Sequence, residues 1–525
     1  MLGFRSSAQR ILALTFPHLP TDRIARKTWG LSWRSTRRPD AAPLVCCGRR
    51  DNAMRLTALD EAAEAIGLKK NQGVAEARAI YPKLDIAEED LGADRRLLDG
   101  IADWCDRYTP LVALDGPDGL FLDITGSSHL FGGENALLKD ILLRLFQMGL
   151  DARGAISSAP GLSWAASRFG SGGVIADEEM EQVLAPLPVA SLRLAENTVA
   201  ALQKLGLKRV GDIIAAPRAP LARRFGAHLL LRLDQALGRD EEPVSPRRPV
   251  ASLSAERRLA EPVQTEEDIL SLTGQIALSL KASLEERGAG GRAFELMLFR
   301  VDGRVFRIAA GASQPLRDPK RIAALFSERL QAVHDDLDAG YGFEILRLNV
   351  MRHEAFDAAQ EDFDGDRQKD VSLSTFVDRV SARLGADCLQ SFHMRESHVP
   401  ERAVTAVPAI DGLSSGKRPA ASGFSWSRSE RPLRLFRQPE SVEVSAAEVP
   451  EGPPESFRWR RILHRVCRSQ GPERLAMEWW IDGTDVRARD YFRIEDDTGH
   501  RFWIYREGLY GQMPPPRWFM HGVFA

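Results

Sequence analysis

Residues 111–133, "LVALDGPDGLFLDITGSSHLFGG", decide how the chain reads. Two short apolar runs, "LVALD" and "GLFLD", flank Gly116-Pro117, and a Gly-Pro pair between such runs marks a turn joining two β-strands. The hairpin places Asp115, Asp118 and Asp123 within nine residues. Carboxylates so spaced serve either as ligands of a metal site or as turn formers beside the Gly-Pro pair.

Outward from the hairpin, strand and helix patterns alternate. "ILALTF" (residues 11–16) is an apolar run ended by Pro17, as in a buried strand. "AMRLTALDEAAEAIG" has helical spacing, with Leu56, Leu59, Ala63 and Ile66 on one face and Gly67 suited to a C-cap. "DRRLLDGIADWCDRYT" reads as an amphipathic helix entering the hairpin. After it come "ENALLKDILLRLFQMG" as helix, "ARGAIS" as strand and "GLSWAASRFG" as helix. With residues 19–91 set aside as an insertion, the order is β-α-β-β-α-β, the ferredoxin-like arrangement.

From about residue 177 the pattern is helical and basic, and residues 191–258 hold thirteen Lys/Arg against seven Asp/Glu. A connector, "RDEEPVSPRRP", precedes a second α/β stretch from 250 to 355. There "AFELMLFRVDG" and "RVFRIAAG" form a hairpin through Asp302-Gly303, and "GFEILRLNVMRHEAF" is a further strand. "EEDILSLTGQIALSLKASLEERG" and "DPKRIAALFSERLQAVHDDL" read as its helices. An acidic linker spans about 357–371, and "GLSSGKRPAASGFSWSRSERP" is a second, Ser/Gly/Pro-rich one. Near the end, "RDYFRIEDDTGHRFWIYREGLY" reads as a hairpin turning at Asp497 to Gly499. The aromatics of this region (Trp479, Trp480, Tyr491, Phe492, Phe502, Trp503, Tyr505, Trp518, Phe519) fit a strand core, while "PPPRWFMHGVFA" also suits docking onto a neighbour or a partner.

The chain of 525 residues exceeds one core, and roughly 150 residues per domain predicts three to five units. A charged content of 27% and a hydrophobic content of 44% are ordinary for a folded globular protein. A net charge of -2 does not by itself point to nucleic acid, but a near-neutral protein can carry a basic groove. Five cysteines without a CxxC pair predict neither disulfide framework nor zinc site, hence a reducing compartment. No apolar run reaches about eighteen residues and no signal-peptide pattern opens the chain, so a cytoplasmic protein with no membrane partner is expected.

The most specific local motif is "LQKLGLKRVGDI" (residues 202–213), which has the h-x-x-h-G-h-x-x-h-x-x-h form of a helix-hairpin-helix. Gly206 frees the backbone to turn, so that amides opening the next helix can face a phosphate oxygen, and Lys208 and Arg209 add charge. Such contacts hold DNA without reading its sequence. Arg223, Arg224 and Gly226 repeat the arrangement more weakly. The competing reading is an ordinary helical corner with a solvated basic face.

A ferredoxin-like domain, a helix-hairpin-helix and a second small α/β domain resemble the layout of the Y-family translesion DNA polymerases. The resemblance implies an α+β multidomain fold: a palm at 10–18 and 92–176, small fingers at 19–91, a helix-hairpin-helix thumb at 177–244 and an α/β little finger at 250–355. Beyond it lie a linker and recruitment region at 356–430 and a β-rich partner-binding extension at 431–525.

In that family an aspartate follows the opening apolar strand, where this chain has Thr15; the next position, Phe16, agrees with the family. The aromatic steric gate falls at about Pro20. The tyrosine and arginine that hold triphosphate correspond to Glu61 and Glu64, and the palm lysine to Pro160. The family's aspartate-glutamate pair falls on Asp118 and Gly119; shifting the register to Asp115 puts Gly116 at the glutamate. Asp123 matches a non-catalytic aspartate at the strand end. Two-ion phosphoryl transfer needs several carboxylates, and Asp90 and Glu134 have no spacing that recommends them as substitutes.

"LTFPHLPTDRIAR", "DGLFLDITGSSHLFGGE" and the ending "RDYFRIEDDTGHRFWIYREGLYGQMPPPRWFMHGVFA" are similar to the polymerase-like mutagenesis proteins of bacterial damage-response cassettes. That resemblance implies a catalytically inactive scaffold in translesion synthesis, without metal or cofactor. Its partners would be primer-template DNA, the β sliding clamp, a RecA-like protein and an error-prone C-family polymerase. Candidate clamp-binding segments are "QEDFDGD", with Gln360 and Phe363, and "RPLRLF", with Leu433, Leu435 and Phe436. The alternative is an active low-fidelity polymerase using Mg²⁺ at an altered site that keeps Asp118.

Overall fold

The computed structural model describes residues 9–36, 41–50, 52–333, 337–356, 366–412, 431–432, 434–445, 452–482, 486–508 and 515–524, with 366–371 as backbone only. The chain divides into two compact units, Met1–Ala310 with Pro315–Ala359, and Gly311–Gln314 with Gln360–Ala525.

The first unit is built around a mainly antiparallel sheet in which Ile11–Thr15 is the central strand. It lies between Gly119–Asp123 and Arg153–Ser157, with Val112–Asp115 outside the former and Gly173–Val174 outside the latter. All five residues of the central strand are buried, which accounts for its unbroken apolar run. Leu12 and Leu14 face a core shared with helices Leu91–Cys105 and Glu134–Gln147. Ile11 and Ala13 join Phe121 and Trp164 on the opposite side, against helix Pro160–Phe169. The expected β-α-β-β-α-β order is present.

The segment 53–66 departs from the expected helix. Ala53–Leu59 is a strand, paired antiparallel with Leu44–Arg50, which in turn runs parallel to Asp85–Glu88. Helix Glu61–Ala65 begins only after Asp60, whose carboxylate accepts the Ala63 amide at 2.7 Å. Leu56 and Leu59 are buried from the strand, whereas Ile66 is exposed. Pairing with a neighbouring strand has overridden the helical spacing. Gly67 does close the short helix at φ +89°.

Helices Glu196–Lys204, Val210–Ala215, Arg218–Phe225 and Ala227–Ala236 follow. The second α/β layer orders its strands Val305–Leu316, Ala289–Arg300, Phe343–Ala355 and Leu253–Val263, with the hairpin at Asp302-Gly303 as expected. Helices Glu266–Glu286 and Pro319–Ala332 run along it.

In the second unit, the stretch read as linker contains helix Asp366–Leu384 and a hairpin of Gln390–Met394 with Val404–Pro408. The six strands Arg434–Val444, Ser456–Trp459, Ile462–Leu475, Arg489–Asp496, Arg501–Glu507 and Arg517–Val523 close into an up-and-down barrel. Phe457, Phe492, Phe502, Ile504, Trp518 and Met520 form its core. The terminal "RWFMHGV" is therefore the strand that closes the barrel, pairing with both the fifth and the first. Trp479 and Trp480 stand apart, 70% and 60% exposed.

Candidate polymerase-like site

The sheet brings Thr15, Asp118 and Gly119 together. Thr15 lies opposite Gly119 across one strand pair, and Asp115 lies opposite Gly119 across the other. Phe16 N donates to the Asp118 carbonyl at 2.8 Å, which fixes the hairpin turn against the end of the opening strand. The Thr15 hydroxyl is buried and lies 3.0 Å from the Ser167 hydroxyl.

Both Asp118 oxygens accept from one guanidinium: Arg168 Nη2 reaches Oδ1 at 2.7 Å and Nη1 reaches Oδ2 at 2.9 Å. The same Nη2 lies 3.5 Å from Asp115 Oδ2, which also accepts Trp164 Nε1 at 2.6 Å. Arg168 comes from helix Pro160–Phe169 and lies 4.8 Å over the Trp164 ring. Burial works against its charge, but the Asp118 and Asp115 carboxylates outweigh burial and raise its pKa. A bidentate guanidinium takes the coordinating edge of a carboxylate and neutralises it.

Gly119 completes this arrangement by having no side chain. A Cβ there would sit 2.8 Å from Arg168 Nη2, 2.8 Å from the Asp115 carbonyl oxygen and 3.0 Å from Asp115 Oδ2. The other acids near the hairpin have structural partners. Asp123 accepts the Thr125 amide at 2.9 Å, Asp90 caps helix Leu91–Cys105 through the Ala93 amide, and Glu134 takes a bidentate pair from Arg10 at 2.7 Å. These residues do not fit a two-ion site: one carboxylate is engaged by arginine, one position is a hydroxyl and one has no side chain.

Glu61 and Glu64 are drawn into a separate ion cluster. Arg34 donates to Glu61 at 2.9 Å and to buried Asp22 at 2.6 Å. His18 lies 2.9 Å from Asp151 and 3.4 Å from Glu64. Burial opposes protonation of His18, yet Asp151 and Glu64 raise its pKa, while His18 holds Asp151 below the usual carboxylate range. Burial pushes Asp22 up to about 6. Pro160 opens helix Pro160–Phe169. Pro20 lines a cleft of about 720 Å³ with Phe16, Arg50, Lys70, Arg95 and Asp118.

At the helical hairpin Gly206 turns at φ +86°, while Leu202, Val210 and Ile213 are buried and Lys208 and Arg209 are exposed. The expected phosphate-facing amides are engaged internally. Lys208 N and Arg209 N both donate to Asp212 Oδ2 at 2.9 Å, and Val210 N and Gly211 N donate to the carbonyls of Leu187 and Ala185. Asp212, three residues into the turn, is the capping acid that fills the position expected for phosphate. At the second hairpin Gly226 turns at φ +82° and opens helix Ala227–Ala236 without a side-chain cap, with Arg223 and Arg224 exposed beside it.

The segment "RPLRLF" is not a free peptide. Arg434 and Leu435 pair with Val523 and Gly522 in the barrel, and Phe436 packs on its core beside Trp459. Held in a barrel strand with Phe436 packed on the core, the segment is not an extended peptide free to put these side chains into a clamp pocket. Gln360, Phe363 and Leu433 lie outside the described residues. No helix among the described residues is long and apolar enough to cross a membrane. None of the five cysteines forms a disulfide.

Sheet, hairpin and helical segment together define a Y-family polymerase-like chain. The impB/mucB/samB family model matches residues 29–168, and the model of that family's C-terminal domain matches 250–363. Protein ImuB of Caulobacter vibrioides is 42% identical over 469 residues, covering 88% of this chain and all of that protein. DNA polymerase IV of Alkalilimnicola ehrlichii is 30% identical over 239 residues, covering 44% of this chain and 66% of that one. DinB from Sulfolobus solfataricus, a solved structure, is 14% identical at a TM-score of 0.39, covering 65% of this chain and 99% of that chain. The chain belongs to the ImuB family.

Proposed function

We propose that this chain is a catalytically inactive Y-family-like scaffold that binds DNA and serves an error-prone polymerase in damage-induced translesion synthesis. The observation that carries the reading is the Arg168 guanidinium on both oxygens of Asp118, beside a glycine whose Cβ would strike it. Two-ion phosphoryl transfer requires carboxylates free to hold both cations against their mutual repulsion, and an arginine there supplies positive charge without an exchangeable ligand. Glu61 and Glu64, at the triphosphate positions, are held in ion pairs with Arg34 and His18 and offer an anion no donor there.

Intact sheets, hairpin glycine and helical core support retention of a DNA-shaped body. In this reading Lys208, Arg209, Arg223 and Arg224 contact backbone phosphates by charge, and the uncapped helix after Gly226 offers amides that the first hairpin has given to Asp212. The synthesis falls to a partner. By family resemblance the partners are the β sliding clamp, the RecA-like protein ImuA and a C-family polymerase, met in the cytoplasm. The alternative, an active polymerase with an altered metal site, rests on Asp118. Primer extension by wild type and Asp118→Ala separates the two readings, and co-purification of the full chain with each partner tests the scaffold role.

A further inference from the structure

The C-terminal barrel carries a run of arginines of which only one is engaged by the barrel's own packing. Strands Ser456–Trp459 and Ile462–Leu475 are joined by a two-residue turn, Arg460-Arg461, with φ at +48° and +70°. Positive φ at both central positions is the type I′ hairpin turn, which Asn-Gly fills with least strain. Two arginines are a poor choice for making that turn, so its residues answer to something other than local folding.

Residues 458–468, "RWRRILHRVCR", contain five arginines and no acid. Arg458, Arg460, Arg461, Arg465 and Arg468 are all exposed. Arg460 pairs with Glu440 and lies 4.7 Å over Trp459. Among the described residues, Arg458, Arg461, Arg465 and Arg468 have no ion pair, although Glu443 and Glu495 stand opposite Arg458 and Arg468 in the strand register. The inward alternates Phe457 and His464 fill the barrel, stacked 5.0 Å apart. Beside the turn Ile462 and Leu463 are 62% and 53% exposed. A two-stranded ribbon thus presents four guanidiniums without an ion pair among the described residues, with an apolar tip. Alternate residues on a strand stand about 6 to 7 Å apart, which lets neighbouring guanidiniums take successive phosphates.

We propose that this arginine hairpin is a second nucleic-acid contact, gripping the phosphate backbone without reading sequence. The guanidiniums form charge-assisted bonds to phosphate oxygens, and Ile462 and Leu463 lie against sugars or bases. The surface belongs to the second unit and does not depend on the helical hairpins or on whether the chain is a polymerase.

The test uses the full-length protein with fluorescein-labelled single-stranded and duplex oligonucleotides, read by anisotropy across a salt series. Arg461→Ala/Arg465→Ala/Arg468→Ala is expected to weaken binding at least about tenfold at 0.1 M salt and to lower the salt slope by about 2 to 3, near 0.9 or somewhat less for each phosphate no longer neutralised. Weakening on one oligonucleotide form alone identifies the strand state bound. Arg461→Gly, which leaves Arg460 on Glu440 and Trp459, separates binding from folding: it should raise Tm by relieving the φ of +70° while weakening binding. A matched Lys208→Ala/Arg209→Ala variant reports on the helical hairpin alone, so failure at either surface is read independently. Unchanged affinity and slope on both oligonucleotides in the triple variant would overturn the proposal and leave an acidic protein segment as the ribbon's occupant.

Discussion

Arg168→Ala is the perturbation that bears most directly on the candidate site. The side chain makes two charge-assisted bonds to Asp118 and packs on Trp164. Bonds to charged groups contribute about 1.5–3 kcal/mol and a cation–π contact about 0.5–1, discounted here because Asp118 is 28% exposed. The variant also removes the guanidinium that Asp118 and Asp115 share. A total loss of about 2–4 kcal/mol follows, measured by urea denaturation. Asp118→Ala should cost less, since Arg168 keeps its weaker contact to Asp115 and its place over Trp164. The double variant should show a coupling of about 1–3 kcal/mol. Additivity within about 0.5 kcal/mol would refute the ion pair as the organising contact.

Other substitutions probe neighbouring contacts. Gly119→Glu should destabilise the protein by about 1–3 kcal/mol, because its Cβ meets the Asp115 carbonyl as well as Arg168; Gly119→Glu with Arg168→Ala should recover only part of that loss. Lys208→Ala and Arg209→Ala should each weaken DNA binding irrespective of sequence and reduce the salt slope by about one, as read by anisotropy. His18 has a raised folded pKa through Asp151 and Glu64. Its contribution is therefore complete below the unfolded value near 6.5 and disappears as pH rises through the folded one. The Tm difference between wild type and His18→Gln should shrink from pH 6 to pH 8.

The parts of this protein legible in its sequence are those specified by local chemistry. The palm sheet follows from apolar runs bounded by Pro17 and Gly116-Pro117, the later hairpins from Asp302-Gly303 and Asp497 to Gly499, and the helical turn from Gly206. Residues 53–66 were misleading because helical spacing and a half-buried strand both bury Leu56 and Leu59; the choice was made by Leu44–Arg50, a neighbour that local pattern does not reveal. The barrel was half visible for a similar reason: alternation shows a strand, but closure depends on pairing between residues 434–444 and 517–523. Arg168 carried no signal. It reads as the basic end of an amphipathic helix, and only the fold sets it on an aspartate fifty residues earlier. Asp212 could have been read, since an acid three residues after Arg209 has capping-box spacing.

Whether the palm-like site is inert is decided by primer extension in Mg²⁺ and in Mn²⁺, with wild type beside Asp118→Ala. An arginine-occupied, glycine-lined site predicts no extension by either protein in either metal, with primer-template DNA still bound. Extension by the wild type that Asp118→Ala abolishes would contradict it.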